Sequence, residues 1–165
     1  MLALIQRVTR AEVRVDGAVV GAISRGLLAL VAIEPGDGEA QAQRMCERLL
    51  GYRVFADEEG QLDQASSNQA SSNHARMNRS LSDTGCGLLL VSQFTLAANT
   101  RKGMRPGFSV AADPVSASRW FNRLVEIARE RHMGVGLAGV EIGRFGAHME
   151  VELVNDGPVT FLLRA

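Results

Sequence analysis

Apolar residues alternate with polar ones, or run unbroken for several positions, along much of the chain, and both patterns are typical of β-strands. The pattern predicts a first strand over Leu2–Val15, a turn at Asp16-Gly17 and a partner strand over Ala18–Ile23. Further strands are predicted over residues 27–33, 52–55, 87–96, 140–145, 147–154 and 159–163. The chain is therefore expected to fold around β-structure.

Two segments repeat their apolar residues at helical spacing instead. Residues 39–50 place one apolar face on a helix, formed by Ala42, Met45, Cys46, Leu49 and Leu50. Asp113-Pro114 is a favourable helix start, and Gly134 and Gly136 mark the expected end. The stripe between them consists of Phe121, Leu124, Val125 and Ala128. Because strict strand–helix alternation is absent, we predict a β-rich α/β domain with mixed or antiparallel sheets and two main helices.

Residues 61–75 differ from the rest of the chain. The unit Gln-Ala-Ser-Ser-Asn occurs twice in succession, at residues 64–68 and again at 69–73. Such small polar residues have nothing to bury, so the segment is predicted to be an exposed inserted loop. A tolerated duplication explains it more simply than a special contact with RNA or a partner. The whole of residues 1–165 is otherwise expected to form one domain.

Composition narrows the possible functions. Eighteen basic and eighteen acidic residues give a formal net charge of zero, which argues against a broad electrostatic grip on nucleic acid but permits local basic patches. Cys46 and Cys86 lack metal-site spacing and are predicted to be reduced thiols. No signal-peptide pattern or membrane-length apolar stretch is present, so a cytoplasmic location is expected, with no membrane partner.

Two short segments stand out. Asn155-Asp156-Gly157-Pro158-Val159-Thr160 lies between two predicted strands, where proline removes an N–H and leaves carbonyl oxygens exposed. By itself this segment is an ordinary tight turn at a strand edge. Ser92-Gln93-Phe94-Thr95-Leu96 ends a buried strand with two hydroxyl side chains.

Hydroxyl nucleophiles need a base within hydrogen-bond reach, and the sequence supplies none that is convincing. His74 falls in the repeat loop, His132 at a helix end, and alternation directs His148 away from Met149. No GxSxG motif and no cluster with metal-ligand spacing is present in the sequence. Ser92 and Thr95 are equally well explained as hydroxyls that cap a strand end.

Together the two segments closely resemble the paired signature of the D-aminoacyl-tRNA deacylases, also called the D-tyrosyl-tRNA(Tyr) deacylase family. The resemblance extends over nearly the whole chain apart from residues 61–75. It includes Leu4-Ile5-Gln6-Arg7-Val8, Thr100-Arg101-Lys102-Gly103-Met104-Arg105-Pro106 and Gly143-Arg144-Phe145-Gly146-Ala147. It implies the family's fold and a homodimer with active sites at the subunit interface. The implied reaction is hydrolysis of D-aminoacyl and glycyl esters at the tRNA 3′ end, without metal or other cofactor.

The resemblance also implies roles for individual residues. Ser92, Gln93, Phe94 and Thr95 form the catalytic segment, in which backbone N–H groups around Gln93 and Phe94 stabilise an oxyanion. Thr95 is one candidate nucleophile. A water molecule assisted by the substrate's 2′-hydroxyl is favoured over it, because nothing in the sequence activates Thr95.

Chiral selection is implied for the turn residues. Gly157 and Pro158, joined by a cis peptide in the family, would reach into the partner's pocket and exclude L side chains. Arg7 would hold this turn across the interface, and Met149 would line the pocket. An ordinary surface arginine and a core methionine are the simpler explanations.

The basic segment at residues 100–106 carries Arg101, Lys102 and Arg105, which would clamp phosphates of the tRNA end. A solvated basic loop is the alternative, and Gly107 stands where the family often has serine. Two further functions stay open: a related deacylase with a trans Gly-Pro that acts on small L-amino acids, and a tRNA-end-binding module without turnover.

Overall fold

The computed structural model describes residues 1–57, 77–101, 103–132 and 139–165. The predicted insertion at residues 61–75, His74, Lys102, and the helix-ending Gly134 and Gly136 lie outside these ranges. The strands are β1 Leu2–Val15, β2 Ala18–Ile23, β3 Gly26–Ala32, β4 Phe55–Ala56, β5 Met77–Arg79, β6 Gly87–Ser92, β7 Val140–Ile142 and β8 Glu150–Arg164. The helices are α1 Glu39–Gly51, α2 Leu81–Thr84, α3 Pro114–Arg131 and a 3₁₀ helix Phe94–Ala97.

The main sheet is organised around β1, which is long enough to take different neighbours along its length. Its first half pairs antiparallel with β3 and its second half with β2, while β8 follows nearly all of its other edge. The strand order is β2-β1-β3-β6-β7, in which β3–β6 and β6–β7 are parallel. Parallel neighbours need a crossover, and the two crossovers contain α1 and α3.

Glycines allow the sheet to curl until it nearly closes. A Cβ at Gly21 of β2 would stand 2.5 Å from the carbonyl oxygen of Ile142 in β7. A Cβ at Gly26 would stand 1.9 Å from the carbonyl oxygen of Gly87 on the neighbouring strand. Only residues without a side chain fit at these two approaches, so the strands can lie unusually close together.

Helices α1 and α3 pack on one face of the sheet and enclose the larger core, in which Met45, Leu49, Phe121 and Leu124 are buried. A second cluster, which includes Val8, Val13, Leu28 and Leu89, fills the concave side. The helices are also joined at their surface, where Glu39 accepts two hydrogen bonds of 2.8 Å from Arg123. These bonds lower the pKa of Glu39 to about 2.

The sequence pattern predicted most of these elements. The predictions for β1, β2 and both main helices are confirmed, as are the turn at Asp16-Gly17 and the free state of Cys46 and Cys86. The strand predicted over residues 52–55 is wrong in extent, since it begins only at Phe55. Residues 94–96 were predicted as strand but belong to the 3₁₀ helix, and the two strands predicted around the Gly-Pro turn form one element, β8.

Within the described ranges, no helix has the length and apolarity needed to cross a membrane.

Candidate functional site

A cavity of about 430 Å³ opens between the sheet and the start of α3. Its walls are mainly apolar and come from β3, β6, α3, the segment before β8 and the start of β8. They include Val31, Val91, Phe121, Phe145 and Val151. The polar side chains in the described lining are those of Ser92, Gln93 and His148. Such a composition suits a small, mostly apolar group that is oriented by a few polar contacts.

The turn at the end of β6 supplies the polar side of the cavity. Gln93 follows the last residue of β6, and its backbone N–H donates to the carbonyl oxygen of Val31 at 2.7 Å. That N–H is therefore engaged and not free to bind an oxyanion, whereas the resemblance implied donors around Gln93 and Phe94. A 3₁₀ helix leaves its first N–H groups without intrahelical acceptors, and here these groups belong to Phe94 and Thr95.

Thr95 lies beside this turn and not in the described cavity wall. Its hydroxyl oxygen accepts a hydrogen bond from the side-chain amide of Gln93. An amide N–H is a donor and cannot take a proton from the hydroxyl. The arrangement therefore offers Thr95 no general base, in agreement with the expectation that it is not activated as a nucleophile.

His148 and Met149 both line the cavity. Alternation along a strand would have directed them to opposite faces, but regular pairing of β8 begins only at Glu150, so the argument does not apply here. A Cβ at Gly143 would come within 2.8 Å of the Met149 sulfur. The methionine thus occupies the space that a side chain at position 143 would need.

The turn that contains Gly157 and Pro158 is closed by one side chain. Asn155 Oδ1 accepts from the backbone N–H of Val159 at 2.8 Å, and Asn155 Nδ2 donates to Thr160 Oγ1 at 3.0 Å. The Gly157-Pro158 peptide is cis and both residues are exposed. Neither lines the cavity described above.

Arg7 of β1 anchors the same turn. Its Nε donates to the carbonyl oxygen of Asp156 at 3.0 Å and lies 3.2 Å from the Asp156 carboxylate. Its Nη1 donates to the carbonyl oxygen of Val54 at 2.6 Å, and the side chain is only 13% exposed. Arg7 therefore holds the turn of its own chain, whereas the family resemblance implied a contact across an interface.

The basic loop is closed at its base and stands beside the cavity. Asn99 and Gly107 exchange two backbone hydrogen bonds of 2.8 and 3.0 Å. Arg101 and Arg105 project from the loop into solvent, and Lys102 lies outside the described residues. Immediately after the loop, the ring of Phe108 packs on that of Phe94 with centroids 5.1 Å apart.

Sequence analysis did not single out Phe108 as a site residue. An isolated phenylalanine in a polar segment gives no periodic signal, and its partner Phe94 is 14 residues away. The only available signal was the position of Phe108 two residues beyond Pro106, at the end of the basic loop.

The apolar cavity lies next to backbone N–H groups in a nearly closed sheet. This arrangement is typical of proteins that bind a small apolar part of a ligand beside fixed hydrogen-bond donors. The model of the family described as D-Tyr-tRNA(Tyr) deacylase matches residues 4–164. The chain belongs to this family.

Relatives and solved structures agree with this membership. The chain is 65% identical over 164 residues to the D-aminoacyl-tRNA deacylases of Xanthomonas campestris pv. campestris and Stenotrophomonas maltophilia, with 99% of each chain covered. The solved structure of a c-Myc DNA unwinding element binding protein is 34% identical, with a TM-score of 0.86 and with 100% of this chain and 99% of that chain covered. A probable eukaryotic D-amino acid tRNA deacylase shares the fold at 14% identity, with a TM-score of 0.74 and with 99% of this chain and 98% of that chain covered. The family and fold class predicted from the sequence are confirmed.

Proposed function

We propose that this protein hydrolyses the ester that joins a D-amino acid, or glycine, to the 3′ end of tRNA. The observation that carries the proposal is the position of Phe94, which lines the apolar cavity and begins the 3₁₀ helix. The first N–H groups of that helix, those of Phe94 and Thr95, have no intrahelical acceptor. The relatives at 65% identity are named D-aminoacyl-tRNA deacylases, which supports the same reaction for this chain. A tRNA substrate would place the protein in the cytoplasm.

The proposed reaction needs no side-chain nucleophile. The ester carbonyl lies against the N–H groups of Phe94 and Thr95 while a water oxygen forms a bond to the carbonyl carbon. The resulting oxyanion accepts hydrogen bonds from these donors, each of which lowers the barrier by about 3 kcal/mol in comparable sites. The neighbouring 2′-hydroxyl relays the water proton to the ribose oxygen as the ester C–O bond breaks. The products are a free amino acid and an uncharged tRNA.

Chiral selection is proposed to come from the Gly157-Pro158 turn of a second subunit. The turn is exposed, it is held by Asn155 and Arg7, and it lies outside the cavity wall of its own chain. Such a turn can act on a cavity only if that cavity belongs to another copy. Backbone oxygens beside the substrate α-carbon would then exclude an L side chain and admit D-amino acids and glycine.

Deacylation of D-Tyr-tRNA, L-Tyr-tRNA and Gly-tRNA by the purified protein, with a chelator present, tests the proposal. We expect loss of the D-tyrosyl and glycyl esters and survival of the L-tyrosyl ester. Hydrolysis of the L ester at a similar rate would overturn the chiral selection and would favour the related deacylase that accepts L-amino acids.

A nucleic-acid-binding module without turnover is the second candidate. The observation that favours it is the name of a structural neighbour, a DNA unwinding element binding protein that is 34% identical to this chain. Binding of tRNA with no hydrolysis of any of the three esters would select this candidate over the deacylase.

A further inference from the structure

Two aromatic rings lie together on the surface next to the cavity. The side chains of Phe94 and Phe108 are 57% and 42% exposed, although phenylalanine is usually buried. Their ring centroids are 5.1 Å apart and the ring planes are inclined by 55°. We call these two rings the aromatic platform.

The platform leads from the cavity toward the basic loop. Phe94 lines the cavity, whereas Phe108 is not part of its described wall and directly follows the Asn99–Gly107 bridge. An extended ligand that leaves the cavity over Phe94 therefore passes Phe108 next. Arg101 and Arg105 stand exposed on the loop that this bridge closes.

The segment that carries the platform has charged side chains of only one sign. Residues 93–112 contain Arg101, Lys102 and Arg105 and no aspartate or glutamate, in a chain whose formal net charge is zero. The favoured partner is therefore an anion. Aromatic faces next to cations are the combination with which proteins hold unpaired nucleotides, because every base has a face that can stack and every nucleotide carries a phosphate.

We propose that the aromatic platform stacks an unpaired base of the RNA strand immediately upstream of the esterified nucleotide. This inference rests on the proposed function, because it takes the aminoacyl ester to occupy the cavity. With the ester carbonyl at the N–H groups of Phe94 and Thr95, the strand leaves across Phe108. Arg101 and Arg105 then face its phosphates, and Phe108 is a substrate-binding residue that does not touch the reacting atoms.

Two substrates that differ only upstream of the ester test the proposal. D-Tyr-tRNA carries the upstream nucleotides, and 2′(3′)-O-D-tyrosyl-adenosine has the same ester without them. For Phe108→Ala we expect KM for D-Tyr-tRNA to rise about tenfold, the scale of one lost base–aromatic stack, with kcat unchanged. Neither constant should change for the adenosine ester. Phe108→Trp should restore KM, since it keeps an aromatic face.

Val19→Ala is the matched control. Val19 is 47% exposed but lies in β2, away from the described cavity wall, so KM should not change for either substrate. Equal losses with both substrates, or a fall in kcat alone, would show that Phe108 only supports Phe94 and would overturn the proposal. Unchanged constants with D-Tyr-tRNA would overturn it as well.

A binding measurement separates failure of this inference from failure of the proposed function. If the wild-type protein hydrolyses neither ester, the deacylase proposal fails, but the platform is still tested with a fluorescent single-stranded RNA that has the sequence of the tRNA 3′ end. Binding of this RNA about tenfold weaker by Phe108→Ala than by wild type would support stacking. Equal binding by the two proteins would overturn it.

Discussion

At the scale of single residues, Arg7 shows how much of a site depends on contacts between distant parts of the chain. It lies 149 residues before Asp156, and it also binds the carbonyl oxygen of Val54. The family resemblance predicted that Arg7 holds the Gly-Pro turn. The register of β1 against β8 places Arg7 next to the turn, and a single sequence does not reveal that register.

Replacing Arg7 should cost both stability and chiral discrimination. Arg7→Ala is expected to lower the free energy of unfolding by about 2 kcal/mol, because a partly buried charged donor and its carbonyl partners are separated. Lysine presents a single ammonium and cannot bridge both groups, so Arg7→Lys should recover little. Urea denaturation and the ratio of D-Tyr-tRNA to L-Tyr-tRNA hydrolysis measure the two effects.

Arg10→Ala is the control for that experiment. Arg10 lies in the same strand and pairs with Glu152, but both side chains are more than half exposed, so the loss should stay below about 1 kcal/mol. A similar loss in both variants would contradict a special role for Arg7.

Thr95→Val tests whether a side chain attacks the ester. The hydroxyl of Thr95 is bound by the amide of Gln93, and no base contacts it in the described part of the chain, so we expect kcat for D-Tyr-tRNA to fall less than tenfold. Single-turnover kinetics and a circular dichroism spectrum provide the measurement and its folding control. A folded Thr95→Val protein that binds tRNA but has no measurable turnover would overturn the mechanism without a side-chain nucleophile.

Two details at this scale were beyond the sequence. The N–H of Gln93 is taken by Val31 because β6 continues to pair with β3 at that point, and only the sheet register shows this. His148 lines the cavity because the segment before β8 is irregular, whereas the alternation argument assumes a regular strand.

At the scale of elements, glycines set how closely the strands approach. Gly26→Ala would push a Cβ to 1.9 Å from the carbonyl oxygen of Gly87, and backbone atoms on a central strand have no room to move. We expect a loss of about 3 kcal/mol in the free energy of unfolding, measured by urea denaturation. Gly51→Ala, at the end of α1 with no atom within 4 Å of the new Cβ, should be neutral or stabilising. Equal losses in both variants would argue against the close approach.

The contact between α1 and α3 gives a pH-dependent contribution to stability. Hydrogen bonds from Arg123 and Gln43 lower the pKa of Glu39 from 4.5 to about 2 in the folded protein. The carboxylate therefore stabilises the fold above pH 4.5, and this contribution is lost as the pH falls from there toward 2. Thermal melts should show Glu39→Gln less stable than wild type at pH 6, with the difference vanishing near pH 2. A difference that does not depend on pH would contradict the assignment.

The sequence predicted helices and strands correctly where the apolar pattern extends over many residues. Helices α1 and α3 show their apolar faces over three or more turns, and β1 over fourteen residues. Helix α2 and the 3₁₀ helix have four residues each, too few to define a period. Helix α2 is capped locally by the Ser80–Asp83 hydrogen bonds, whereas the 3₁₀ helix has no side-chain cap. The 3₁₀ helix carries the free N–H groups, so the sequence motif located this part of the site but did not show its conformation.

At the scale of the whole molecule, the proposed site needs two copies of the chain. Each cavity would lack its chiral selector until the Gly157-Pro158 turn of a partner reached it. Exposed apolar side chains on β8, those of Val154 and Leu162, suit burial against such a partner. The homodimer was implied by the family resemblance alone, because the number of subunits cannot be deduced from residue patterns in one sequence.

Chiral discrimination should therefore depend on protein concentration. On dilution to concentrations at which sedimentation velocity shows the 17.7 kDa single chain, we expect hydrolysis of L-Tyr-tRNA to rise relative to D-Tyr-tRNA. Discrimination that stays constant through dissociation would place the selector and the cavity in one chain.

The contact between Gly143 and Met149 has a consequence for how this protein could diversify. Met149 lines the cavity, and its sulfur takes up the space that a side chain at position 143 would need. Adding even a methyl group there would displace the methionine and so change the shape of the cavity. The range of amino acids accepted could thus be altered at a position outside the described cavity wall, while the turn proposed to bind the oxyanion stays intact.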